Sequence, residues 1–293
     1  MKIAVFDSYG SPNPILFEWA AGFIALGHEC DSYDLAHHSI SSCLNKEYDI
    51  VFLVGPLNPA ELAKFCQNSP KTKIVYACDQ WMPFLRDCRP FIAHLISIQS
   101  DSPPFKNKCL EEGFLFDYVP LCGSEFSFFP IDCEKTIDVG FVGSLAHGSR
   151  GEQKYLYPIL DNPKYSTFLG GMTYKGRGAA FIPYKEVNAI RNTFKVSLNF
   201  HTDYQKNSGI RLDLNQSVYN IALSGVLQIC DHPLTKEVFR GSIVVPSDED
   251  WVDAVDYYVN HPDEGQILAN KAREIALQEH TLVVRMTQLL KNV

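Results

Sequence analysis

The stretch DVGFVGSLAHGSRGEQKYL, residues 138–156, gathers residue types that hold phosphate. An apolar strand runs into Gly143 and Ser144, a flexible turn follows, and Arg150 and Lys154 flank the start of a helix. Backbone amides, a helix dipole and two cations can converge there on an anion, and the pattern fits a diphosphate. It is not a P-loop, because GxxxxGK followed by Ser or Thr is absent, nor a GxGxxG dinucleotide fingerprint. The bland reading makes Gly143 a strand end and Arg150 a solvated surface charge.

Two further stretches carry polar groups to ends of elements. IPYKEVNAIRNTFKVSLNF places Tyr184 at a helix start, where its ring can stack on a base or simply dock the helix. The strand after it ends at His201, a site candidate set against an ordinary structural histidine. RLDLNQSVYNIALSGVLQICD reads as a helix that stops at Gly225 and passes into a short apolar strand. Asn215 suits an N-cap there, Tyr219 shares its face one turn on, and Asn220 is a poor helix former inside the helix. A buried amide needs partners, so Asn220 calls for an explanation.

Among the acids, Asp79 in YACDQW ends a predicted strand and is the candidate general base, or else the cap of a turn. Asp7 and the loop SYGSPN end the first strand, which puts Gly10 and Ser11 within reach of a donor or acceptor. The DED at Asp248–Asp250 resembles a DxD metal motif, but following Ser247 and preceding WVDAV it reads as the acidic first turn of a helix. No metal cluster emerges.

These residues need a frame of alternating strands and helices. KIAVFDSY, HECDSYDL, YDIVFLVG, KIVYACD, ISIQSD and FDYVPL read as strands, with PILFEWAAGFIALG, NPAELAKFCQNS, MPFLRDCRPFIAHL and PPFKNKCLEEGF as helices between them. Asn58 and Pro59 suit the N-cap and first position of the second helix. FFPIDCEKTI is the candidate linker. A second series follows: DVGFVGS, YSTFLGG, KVSLNFH, VLQIC and SIVVP as strands, with RGEQKYLYPILDN, PYKEVNAIRNTF, LNQSVYNIALSG, SDEDWVDAVDYYVNH and the remaining C-terminal sequence as helices. Such alternation predicts α/β architecture: two Rossmann-like, doubly wound domains facing across a cleft. The expected boundaries are 1–133 and 134–276, with a helix over about 277–293 packing back on the first domain.

Composition agrees with this frame. A chain of 293 residues, 46% hydrophobic and 20% charged, supplies apolar surface for two cores. No apolar run approaches the roughly 18 to 20 residues that span a bilayer, and Met1 leads directly into a strand, so a soluble cytoplasmic protein is expected. Nine cysteines without a CxxC pair read as reduced thiols. The net charge of −8 opposes polyanionic partners and does not favour a DNA acceptor.

The order of DVGFVGS with a distal arginine, IPYKEVNAIRNTFKVSLNF, NQSVYNIALSGVLQICD and EHTLVVRMTQLL resembles the CgeB-like, spore-maturation-type glycosyltransferase family over about residues 137–290. The resemblance implies a GT-B fold and transfer of a sugar from a nucleotide-diphosphate donor held by the second domain. No cofactor is implied beyond that co-substrate, and no metal. Carried over by position, Gly143 and Ser144 approach the diphosphate, Arg150 neutralises it with Lys154 beside it, Tyr184 lies near the nucleobase and Asn215 opens the donor-facing helix. The family's arginine falls on Ser217, its ribose-binding glutamate on Asn220 and the preceding aromatic on Tyr219. His280 and Arg285 are read as structural. A non-catalytic nucleotide- or glycan-binding module and a nucleotide-sugar epimerase are the competing readings.

Overall fold

In the computed structural model, the residues described are 1–7, 15–34, 37–43, 46–54, 58–78, 84–98, 103–143, 152–171, 182–201 and 214–293. The described residues divide into two compact units: those of 1–121 with Leu282–Val293, and those of 122–201 with Leu214–Thr281.

The first unit runs β1 (Lys2–Asp7), α1 (Ile15–Ala25), β2 (Glu29–Asp34), β3 (Ile50–Val54), α2 (Pro59–Asn68), β4 (Lys73–Cys78), α3 (Leu85–Cys88), β5 (His94–Ser97), α4 (Pro103–Glu111) and β6 (Phe116–Tyr118). Its strands form one parallel sheet in the order β2-β1-β3-β4-β5-β6. Ile3–Phe6, Ile50–Leu53 and Ile74–Ala77 are all buried, the continuous apolar runs that a sheet covered on both faces demands. Asn58 caps α2 by accepting the Ala60 N–H at 3.0 Å. The helix expected through MPFLRDCRPFIAHL stops at Cys88, continues as a 3-10 turn over Arg89–Phe91, and yields to β5 at His94. Pro90 lacks the N–H that a continuing helix needs, and Leu95 and Ile96 are buried as strand residues.

The second unit runs β7 (Ile137–Val142), a π-helical turn (Glu152–Leu156) into α5 (Tyr157–Leu160), β8 (Thr167–Gly170), α6 (Tyr184–Asn192), β9 (Phe194–Asn199), α7 (Gln216–Leu223), β10 (Leu227–Cys230), α8 (Leu234–Val238), α9 (Trp251–Asn260) and α10 (Pro262–Glu279). The sheet is parallel, ordered β10-β9-β7-β8. One face packs Val139, Phe141, Val196, Leu198, Leu227 and Ile229 against Leu156, Ile159, Trp251, Val255 and Ala269. A smaller cluster joins Phe194 and Val226 to Ile221 of α7, with Val142 and Ile190 of α6 against it. SIVVP, expected as a strand, makes only a bridge: Val244 exchanges main-chain bonds with Gln228 and Cys230 beside Ile229. Gly225, at φ 68°, ends α7 in the left-handed region that glycine adopts without steric cost.

The long C-terminal helix breaks at His280–Thr281, and α11 (Leu282–Asn292) belongs to the first unit. There it packs on α1 so closely that a Cβ at Gly22 would lie 2.8 Å from Met286 Cγ. The stretch read as a linker lies within the second unit. Buried amides hold it: Asn192 Oδ1 accepts the Ile131 N–H at 2.8 Å, and Asn188 Nδ2 donates to the Phe129 carbonyl at 3.0 Å. A segment whose backbone groups are satisfied by core side chains behaves as part of that core.

Candidate functional site

In the second sheet β7 connects outward to β8 on one side, while its neighbour β9 connects outward to β10 on the other. The carboxyl ends of β7 and β9 therefore flank a topological switch point, the place where doubly wound sheets take ligands. Cavities of about 660 Å³ beside Lys2 and Asp49 and about 260 Å³ beside Lys73 and His94 belong instead to the edge where strands of the first unit begin.

At the ends of β7 and β8 the backbone is bare. Gly143 N–H donates to the Gly170 carbonyl at 3.0 Å, and a Cβ on Gly171, at φ 115°, would lie 2.0 Å from the Gly143 carbonyl oxygen. Neither the conformation nor the space admits a side chain at Gly171. We predict that G171A loses at least about 2 kcal/mol in denaturant unfolding, from backbone strain and a main-chain clash that no side-chain rotation relieves.

At the ends of β9 and β10 a buried polar network fixes the start of α7. Asn215 is its N-cap, with Oδ1 accepting the Val218 N–H at 3.2 Å and Nδ2 donating to the Phe200 carbonyl at 3.1 Å. Asn199 and Asn215 also exchange amide bonds, at 3.1 and 3.2 Å. The Asn215 N–H donates to His201 Nε2 at 3.2 Å, and His201 Nδ1 lies 2.9 Å from Asp231 Oδ1. The His201 backbone N–H reaches both oxygens of the same carboxylate, at 2.9 and 3.1 Å. With Nε2 accepting, the hydrogen-bond pattern assigns the ring proton to Nδ1, which donates it to Asp231.

The ligand atoms of His201, Cys230 and Asp231 lie within 4.8 Å of one another, and those donor types suit a transition metal. Coordination through Nδ1 would remove its proton while Nε2 still accepts an N–H, so the observed bonding suits a positioning role for this histidine. His201 is fully buried and both ring nitrogens are engaged within the protein.

The remaining expected residues separate. Tyr184 begins α6 and sets its ring edge-on to Phe128, with centroids 5.5 Å apart. Lys154 pairs with Asp248 at 2.6 Å, and Tyr155 donates to the same carboxylate at 2.5 Å. These bonds hold the Lys154 ammonium above its ordinary pKa. Asp248 thus joins the π-helical turn to the α9 approach, and Asp250 is the N-cap position of α9. Tyr219 is 1% exposed, packed on the rings of Phe239 and His280. Asn220, 4% exposed, accepts the Ser124 N–H at 3.1 Å, so it faces residues 123–124 of its own unit where the resemblance has it facing a ribose. Gly10, Ser11, Asp79, Ser144 and Arg150 lie outside the described residues. Asp231 and Asn199 carry no role in the sequence reading, although Asp231 directly follows the strand VLQIC.

Residues 150–291 match a protein-family model described as glycosyl transferase-like. Solved structures are similar over almost the whole chain. Sucrose-phosphate synthase from Thermosynechococcus elongatus is 10% identical, with 99% of this chain and 98% of that one covered at a TM-score of 0.63. Anabaena HepE, solved in complex with UDP and glucose, is 10% identical with 99% and 98% covered at 0.58. The α,α-trehalose 6-phosphate synthase from Burkholderia multivorans is 8% identical with 99% and 97% covered at 0.56. At these identities the likeness is one of fold, and that fold is GT-B. No curated protein matches the sequence. No helix among the described residues is long and apolar enough to cross a membrane.

Proposed function

We propose that this protein is a CgeB-like glycosyltransferase that moves a sugar from a nucleotide-diphosphate donor to an acceptor hydroxyl. The match of a glycosyl transferase-like family model to residues 150–291, which contain β8, β9, β10 and α7, carries the reading. Glycosyl transfer requires a stabilised diphosphate leaving group, and preorganised dipoles with cations supply this without a metal. The α7 N-terminus is locked by Asn215, His201 and Asp231, and its dipole suits an anion. Gly143 directly follows β7, and Arg150 is the proposed neutralising charge. Tyr184 remains the proposed neighbour of the base, and Asp79 the proposed general base. The UDP and glucose of the HepE complex are ligands of the proposed class. The acceptor is a glycan, a protein, a small metabolite or, less favoured by the net charge, a modified nucleic acid, and the protein works in the cytoplasm without a cofactor or metal.

Titration with UDP, GDP, ADP, CDP and TDP tests this directly. A diphosphate present at a hundred times its Kd stabilises by about 2.7 kcal/mol, which raises Tm by about 5 °C in a protein of this size. If none of the five shifts Tm, the reading fails. A non-catalytic binding module is the second reading, because Asn220 is occupied by Ser124. It predicts nucleotide binding without donor hydrolysis or transfer, whereas the enzyme turns over donor and keeps its rate in EDTA.

A further inference from the structure

Arg191 stands in the last turn of α6, only 3% exposed. Among the described residues its guanidinium meets no carboxylate. Nη2 donates one long bond, 3.4 Å, to the Val142 carbonyl, while Nε and Nη1 are buried without a hydrogen-bond partner. The guanidinium carbon lies 5.4 Å from the centre of the Phe128 ring. Burial pulls its pKa down to about 10, against a smaller opposing effect of the nearby Tyr184 hydroxyl.

The position gives this side chain its interest. Arg191 begins near the amino end of β9, but helical side chains lean toward the helix N-terminus, and this one reaches the last residue of β7. Its head group therefore lies at the switch point, next to Gly143 and to the closely packed Gly143–Gly171 backbone. A buried charge normally holds a partner charge and a full set of hydrogen bonds, because desolvation is otherwise uncompensated. Contact with Phe128 offsets only part of that cost. A planar guanidinium with free N–H groups matches an oxyanion, and phosphate and diphosphate oxygens fit its fork geometry.

We propose that Arg191 is the receptor for a phosphate-class oxyanion entering at the carboxyl end of β7, and that its guanidinium becomes fully hydrogen bonded only when that group is present. Because Nε and Nη1 are covered, entry requires the head group to turn and release Val142. That bond is single and long, so the release costs little. In identifying the natural anion as the donor diphosphate, the proposal rests on the glycosyltransferase reading; the claim for an oxyanion stands apart from it.

The experiment measures Tm and affinity for inorganic pyrophosphate, then for the nucleotide diphosphates, in wild type, R191M and R191K. Pyrophosphate is expected to raise the wild-type Tm. Without ligand, R191M is expected to be as stable as wild type or more so, since an uncompensated buried charge is gone. Its pyrophosphate affinity should fall at least tenfold, with R191K between the two. Wild type unmoved by pyrophosphate, or R191M and R191K binding it as wild type does, overturns the proposal. Nucleotide binding that persists unchanged in R191M sinks this inference and leaves the glycosyltransferase reading standing. Pyrophosphate binding that needs Arg191, with no nucleotide bound by wild type, does the reverse.

Discussion

D231A is expected to lose about 3–5 kcal/mol of stability, measured by urea unfolding, and to weaken nucleotide binding at the same time. The Asp231 carboxylate is 3% exposed and accepts hydrogen bonds from the His201 ring N–H and backbone N–H together. Alanine leaves two buried donors unpaired, and each unsatisfied group costs about 1–3 kcal/mol. The effect should travel through His201. Once the ring is unrestrained, Nε2 no longer fixes the Asn215 N–H, and the cap of α7 loosens. Amide exchange at Asn215 and Val218 should therefore quicken in D231A beyond what the global loss explains. D231N keeps an acceptor but sets an amide N–H toward the His201 donors, so its loss should be intermediate. A D231A protein of wild-type stability would remove the positioning role assigned to this network.

N220E, which puts back the glutamate that the family resemblance expects, should lower stability and leave nucleotide affinity no better. The site has no room for a longer acid. A Cβ on Gly123 would lie 2.6 Å from Leu223 Cδ1 and 3.1 Å from Asn220 Oδ1, so the 123–124 main chain sits directly on α7. Overpacking costs about 1–3 kcal/mol, and burying a carboxylate beside a single N–H adds to it. Urea unfolding of N220E with a parallel nucleotide titration decides the matter. Tighter binding in the variant would mean that position 220 does face the donor.

Much of the local structure was legible because its causes lie within a few residues. The runs KIAVFD, IVFLV and KIVYAC are buried strands of a parallel sheet, since no polar residue interrupts their inner positions. Asn58 and Asn215 each cap the helix that follows, and Gly225 ends α7. The β7 strand and the doubly wound pattern were likewise readable from alternation and spacing. SIVVP was not, because whether a short apolar run pairs depends on a neighbouring edge, and only Val244 finds one.

The side-chain roles were less legible because the partners are distant in sequence. The helical period puts Asn215 and Tyr219 on adjacent turns, yet it does not say what the helix faces. The partner of Asn220 is Ser124, 96 residues away; that of Lys154 is Asp248, 94 away; and His201 meets Asp231 across 30 residues. Arg191 is hidden in the sequence as an ordinary charge near a helix end, and only its burial beside Val142, with no carboxylate against it among the described residues, distinguishes it. The sequence by itself determined the alternation of elements, the helix caps and the α/β class, because backbone propensity and hydrophobic period act locally. Which polar groups the core engages, and which buried charge lacks a carboxylate among the described residues, emerged from the fold, because burial and hydrogen-bond partnership arise when segments far apart in the chain pack together.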